Sequence, residues 1–265
     1  MNKLIKKIII LALSMLFIVL NFSYTQLVNT VEAVESPFSK ETIEWLEWFN
    51  SLPYEEQQAI NYVPCELVDY LDGKSSCSNE QLELADFNSS LISPNQNLPN
   101  DPGAGGMSVG GYEFSYNPSY WNGTRINKAN CYYYAMNVVS SSTNKNHQQP
   151  GYKAGVSFAL TQSSIINAVK KDVPYFSNVV SVRASSYSEI AGVNEYKVAL
   201  VIAPNKDYHW YRQNSDCTWS HKRGHTEVVK TDASGYVVRD PQMCDRNYGS
   251  INYSTFAGYY IVKYQ

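Results

Sequence analysis

An α+β fold is the expectation for this chain of 265 residues, and three observations lead to it. Apolar residues recur at helical spacing between Ser36 and Leu84. A stretch rich in proline and glycine follows. From Tyr112 onward, helical segments give way to short strand-like segments separated by turn residues, the pattern of an antiparallel meander. Helices first and strands later separate α+β from the alternating order of a parallel sheet.

The first 33 residues read as an address. Lys3, Lys6 and Lys7 form a positive start, Ile8 to Leu20 is an apolar run broken only by Ser14, and Val31-Glu32-Ala33 is a small-residue cleavage pattern. The run is short of the ~20 residues that span a bilayer. A secretory signal cleaved after Ala33 is expected, with a retained N-terminal anchor as the alternative. The lysines and the long apolar run suit a bacterial export signal. The expected product is secreted, with no stable membrane insertion after cleavage.

Residues 34–87 form the helical region. Ile43, Trp45, Leu46 and Phe49 share one face, Leu52-Pro53 ends that run, and Ala59, Ile60, Val63, Leu67 and Leu71 continue at helical spacing past Pro64. Residues 88–111 carry Pro94, Pro99, Pro102 and five glycines, the composition of a linker. A helical pre-domain, a linker and a denser domain over 112–265 match a zymogen with a propeptide, or equally a docking subdomain. In the last region helices are expected over 130–139 and 163–171. Strands are expected over 179–183, 196–202, 209–213, 218–221, 227–230, 236–239 and 258–263. A net charge of −3 with no basic stripe excludes nucleic acid as a partner class.

Five cysteines in an exported chain imply pairing with one left over. Cys65 with Cys77 and Cys217 with Cys244 are the candidate disulfides, which leaves Cys131. Asn130 is a good N-cap residue, so Cys131 falls in a first helical turn, where unpaired N–H groups and the helix dipole favour a thiolate. The same N–H groups can hold an oxyanion. A buried structural thiol is the alternative. Of four histidines, His209, His221 and His225 lie within 17 residues of one another. With a three-residue loop at Ser215-Asp216-Cys217, residues 211 and 221 oppose each other and His209 lies diagonal to His221 on one face.

A cysteine opening a helix, a histidine opening a strand and a second polar residue across the hairpin resemble the papain-like peptidases of the NlpC type. The resemblance implies a papain-like core over residues 112–265, with a helix packed on an antiparallel sheet. It implies a secreted cysteine hydrolase acting on a peptide, protein or peptidoglycan stem-peptide amide, with Cys131 as nucleophile, His209 as base and His221 as orienter. The segment HTEVVKTDASGYVVRDP is similar to a second pattern in that superfamily, with His225 as base and Asp240 as orienter. Papain's glutamine has no counterpart here, and Asn127 is the candidate oxyanion donor. No cofactor or metal is expected, and the chain is expected to be a monomer. Two readings from other classes stand beside the hydrolase. One is a non-enzymatic binding module with Trp210, Tyr211 and Trp219 as an aromatic recognition surface. The other is a zinc site drawn from Asp216, Cys217, His209, His221 and His225.

Overall fold

The computed structural model describes residues 36–73 and 108–265. The signal segment, Cys77 and most of the expected linker lie outside the described residues. Phe38–Gln265 forms one compact unit.

Six antiparallel strands make one sheet: β1 Val179–Ser185, β2 Glu195–Ala203, β3 Asp207–Gln213, β4 Trp219–Lys222, β5 Val228–Val229 and β6 Thr255–Tyr264. Their order across the sheet is β1-β6-β2-β3-β4-β5. Strand β6 therefore inserts between β1 and β2, and the consecutive hairpins β2–β3–β4–β5 extend the other half. The α+β class holds. The strand expected over 236–239 is reduced to a single bridge, Thr231 to Val237.

The sheet is covered on both faces. Helix α5 (Cys131–Ala135) and helix α6 (Gln162–Asp172) lie on the first face, over a core that includes Tyr196, Val198, Leu200, Tyr208 and Trp210. The N-terminal helices α1 (Lys40–Ser51), α2 (Tyr54–Ala59) and α3 (Cys65–Asp72) belong to the second core. There Trp45, Leu52, Ile60 and Leu67 meet Ala199, Val201, Tyr211 and Trp219. The helical stretch and the sheet region, expected as two regions, thus share one core. A short helix α4 (Pro118–Trp121) borders the first face.

Local signals account for most boundaries. Ser39 caps α1, its side chain accepting from Thr42 N, and Thr161 caps α6 through Ser164 N. Asn130 caps α5 by accepting from Tyr133 N at 3.0 Å. That helix stops early because Asn137 takes a left-handed conformation at φ 54°, so the helix expected over 130–139 is only half as long. The helical spacing through 55–71 is also interrupted. Ile60 to Val63 is extended, and Pro64 opens α3 with its fixed φ. That break positions the site.

Candidate functional site

Cys131 opens α5 with its side chain fully buried. Its Sγ lies 3.9 Å from the carbonyl oxygen of Tyr208. Burial pushes the thiol well above its ordinary pKa, and Asp207 nearby adds to the rise. Backbone N–H groups of Trp210 and Tyr132 and the charge of Lys222 pull the other way without reversing it. Thiolate formation, which nucleophilic chemistry needs, is therefore disfavoured.

His209 and His221 stand elsewhere. Tyr211 opposes His221 across the β3–β4 hairpin, as the three-residue loop requires, and His209 Nε2 lies 2.8 Å from His221 Nδ1. His221 Nε2 lies 2.9 Å from the carbonyl of Thr231. A carbonyl only accepts, so His221 carries its proton on Nε2 and receives one from His209 Nε2. Both rings are then neutral and in series. Strand alternation sends this pair away from the thiol. Tyr208 and Trp210 pack with Cys131 in the first core, whereas His209 contacts Tyr211, His221 and Tyr253 on the second face. His225 Nε2 lies 3.3 Å from Gln148 Oε1. Asp240 accepts from Tyr259 Oη and from Gln242 N. The His209–His221 pair is thus turned from Cys131, and Asp240 bonds Tyr259 and Gln242 while His225 pairs with Gln148. Asn127 is exposed, and its carbonyl accepts from Gln148 Nε2.

What does meet Cys131 is a segment absent from those expectations. Asn61, on the extended stretch between α2 and α3, accepts at Oδ1 from two backbone donors, Cys131 N at 3.2 Å and Gly224 N at 2.9 Å. Its Nδ2 donates to Asp207 Oδ2 and to the carbonyl of Tyr208, both at 3.1 Å. Its backbone N donates to the Asp207 carboxylate, as does Tyr62 N at 2.6 Å, and its carbonyl accepts from Gln149 Nε2 at 2.6 Å. Lys145 Nζ donates to the carbonyls of Gln57, Gln58 and Ile60. Gly224 sits at φ +47°, where a Cβ would come within 2.1 Å of the Gln58 carbonyl oxygen, so only glycine lets the two backbones approach this closely. The result is a slot that satisfies every polar atom of one asparagine residue. The only hint of it in the sequence is Pro64, which marks where helical spacing must break.

Four further expectations meet the structure here. Cys217 and Cys244 are free thiols. The bridge between them is not formed: Cys217 occupies the left-handed position of its hairpin loop at φ 63°, and Cys244 Sγ instead faces Tyr211 Oη and the Pro241 carbonyl. Cys65 is a free thiol among the described residues, and its expected partner Cys77 lies outside them. No group of three or more metal-ligating side chains occurs among the described residues. Trp210, Tyr211 and Trp219 are fully buried and form no surface. Among the described residues the exposed aromatics are Tyr54, Tyr70, Tyr112, Tyr120, Tyr175, Tyr187 and Tyr236. Tyr120 borders a shallow cleft with Phe114, Asn117, Trp121 and Arg212.

Among the described residues no helix is long and apolar enough to cross a membrane. No family model matches the chain, and no solved structure matches it. The chain is 34% identical over 146 residues to Insoluble matrix shell protein 1 of Ruditapes philippinarum, a match covering 54% of this chain and 86% of that protein. This finding overturns the resemblance to papain-like peptidases and the reading as a bacterial thiol protease, since the relative is named for a mollusc shell matrix and not for a hydrolase. The chain belongs to the family of Insoluble matrix shell protein 1.

Proposed function

We propose that the chain is an exported, non-catalytic matrix protein that binds an extracellular polymer through exposed tyrosines. The observation that carries this reading is the match to 86% of a protein named for an insoluble matrix. The chemistry around Cys131 supports it, because the thiol is buried, its pKa is raised, and His209 lies on the other face of the sheet. Export runs through the N-terminal segment, with residues 1–33 as the signal.

The cleft beside Tyr120 is the contact site in this reading. Arg125 lies 4.4 Å from the Tyr120 ring centre and holds that ring in place. The Asn117 and Arg212 side chains border the same cleft. Aromatic faces beside an amide suit a glycan chain, whose sugars present both apolar faces and hydroxyls. Sedimentation with an insoluble polysaccharide tests this. Tyr120→Ala is expected to lower the bound fraction's affinity about tenfold, which is ~1.4 kcal/mol. Equal retention of variant and parent overturns the cleft as the contact site. Iodoacetamide tests the non-catalytic claim. Cys131 in the native chain is expected to stay unlabelled, and Cys131→Ala to bind polymer as the parent does. Rapid stoichiometric labelling of Cys131 in the native chain would overturn it.

A further inference from the structure

Arg212 is a buried cation that the described residues do not neutralise. It lies near the end of β3, is 1% exposed and forms part of the wall of the Tyr120 cleft. Its Nη1 donates to the Tyr134 carbonyl at 3.1 Å and to Asn137 Oδ1 at 3.0 Å, both neutral acceptors. Its Nε is buried without a hydrogen-bond partner among the described residues. The arginine and lysine ion pairs near the sheet, Arg183 with Glu189 and Glu195 and Lys230 with Asp216, leave Arg212 out. Glu113, the carboxylate next to Phe114 in the chain, is turned to the backbone N–H groups of Gly110, Gly111 and Tyr112.

Aromatic rings surround the guanidinium instead. Its Cζ lies 4.1 Å from the ring centre of Tyr134, 5.5 Å from that of Phe114 and 5.6 Å from that of Trp121. Ring faces stabilise a cation without cancelling its charge, and a buried charge ordinarily has an opposite charge beside it. The amides on the cleft wall are set as donors too. Asn117 Oδ1 accepts from Ser119 Oγ and Tyr120 N, and Asn137 Oδ1 accepts from Arg212, which leaves the two Nδ2 groups to donate. The cleft thus combines a cation, spare N–H groups and an exposed tyrosine ring, and lacks a carboxylate. Its volume is about 200 Å³, below the ~300 Å³ at which pockets begin to hold drug-sized ligands, so it suits one unit of a polymer.

We propose that this cleft is a subsite for an anionic sugar unit, whose carboxylate or sulfate ester pairs with the Arg212 guanidinium while its ring lies on Tyr120. The inference names the class of glycan and rests on the cleft reading given above. A guanidinium matches the oxygens of either group, and such charge-assisted bonds are stronger than neutral ones. A neutral sugar would leave the buried charge unpaired, so the site selects by what the wrong ligand fails to satisfy. The chain as a whole carries a net charge of −3, so general attraction does not draw it to a polyanion.

The test sediments the full exported chain with three forms of one matrix: plain cross-linked dextran, carboxymethyl dextran and dextran sulfate. The parent is expected to bind at least one charged form about tenfold or more tightly than plain dextran. A difference between the two charged forms identifies the preferred group, and either preference supports the site. Arg212→Gln would disturb the fold, because Arg212 also holds the Tyr134 carbonyl. Asn137→Asp avoids this. It places a carboxylate where Oδ1 already accepts from Arg212, and aspartate tolerates the φ of 54° at this position. This variant is expected to keep the parent's thermal midpoint or exceed it, and to lose the preference for charged dextran. Asn205→Asp adds the same charge at an exposed left-handed position in the turn at the other end of β3, and is expected to bind as the parent does. Equal retention of the parent on all three matrices overturns the anion site and leaves the Tyr120 contact standing. Equal losses in Asn137→Asp and Asn205→Asp also overturn it, since net charge would then explain the effect. A preference that survives Tyr120→Ala and vanishes in Asn137→Asp supports the anion site and counts against the tyrosine contact.

Discussion

Asp207→Ala is expected to lower the stability of the chain by about 3–5 kcal/mol, the scale for stripping a buried charged acceptor from its donors. The side chain is fully buried at the start of β3. It accepts from Asn61 N, Asn61 Nδ2, Tyr62 N and Tyr253 Oη, the last at 2.7 Å. Burial pushes its pKa up and the bonds from Asn61, Tyr253 and Tyr62 pull it down. Four donors on two oxygens can all be met only when both oxygens accept, so the fold uses the ionised form. Alanine would leave three N–H groups and a hydroxyl without an acceptor in a place water does not reach. The damage is not uniform. Asn61 and Tyr62 belong to the N-terminal helical segment, so that segment should loosen before the sheet does, and Cys131 should become open to iodoacetamide at denaturant concentrations where the sheet is intact. Chemical denaturation followed by circular dichroism, with thiol labelling in parallel, checks both parts. A loss below about 1 kcal/mol would mean that these bonds do not hold the N-terminal segment.

The hairpin register, the cap at Asn130 and the order of helices and strands were legible because each rests on local chemistry. A three-residue loop fixes which residues oppose each other, and Tyr211 does face His221. What could not be read was the face on which His209 lies relative to Cys131. Both faces of β3 are covered, and all seven of its residues are buried. A strand buried on both sides shows no apolar–polar alternation, and so gives no sign of which parity faces the helix. Tyr208 and Trp210 take the helix side, which removes the imidazole from the thiol. The Asn61 slot was hidden for a different reason. Ile60, Val63 and Leu67 keep helical spacing across a stretch that is extended, and local periodicity competes there with tertiary bonds from Asp207, Gln149 and Lys145. Tertiary contacts prevail because the asparagine is satisfied only in the extended form.

The paired histidines should make the chain acid-sensitive over a defined window. Burial holds His209 well below its ordinary pKa, with His221 and Arg223 adding to the effect, and it holds His221 at about 4. His225 is lowered to about 3, chiefly by burial and then by Lys145 and Lys222. Each folded pKa lies below the unfolded value near 6.5, so below that pH the unfolded chain binds protons that the native state refuses. Stability then falls as pH drops from about 6.5 toward about 4, and nothing is lost from these groups above 6.5. Asp172 works against this. Burial raises it to about 6 from 3.8, so the native state gains stability from that carboxyl as pH falls through the same range. Asp207 is also raised. The histidine contribution is therefore isolated by difference. His221→Gln keeps a donor for the Thr231 carbonyl and an acceptor for His209 Nε2 but cannot be protonated. For His221 a shift of this size corresponds to about 3 kcal/mol between pH 6.5 and 4. The parent should lose roughly that much more than the variant across the window, and the two should run parallel above it. Denaturant midpoints at pH 7, 6, 5 and 4 measure the difference. Equal slopes for both chains would mean that His221 is protonated in the folded state, and the neutral series from His209 through His221 to Thr231 would have to be abandoned.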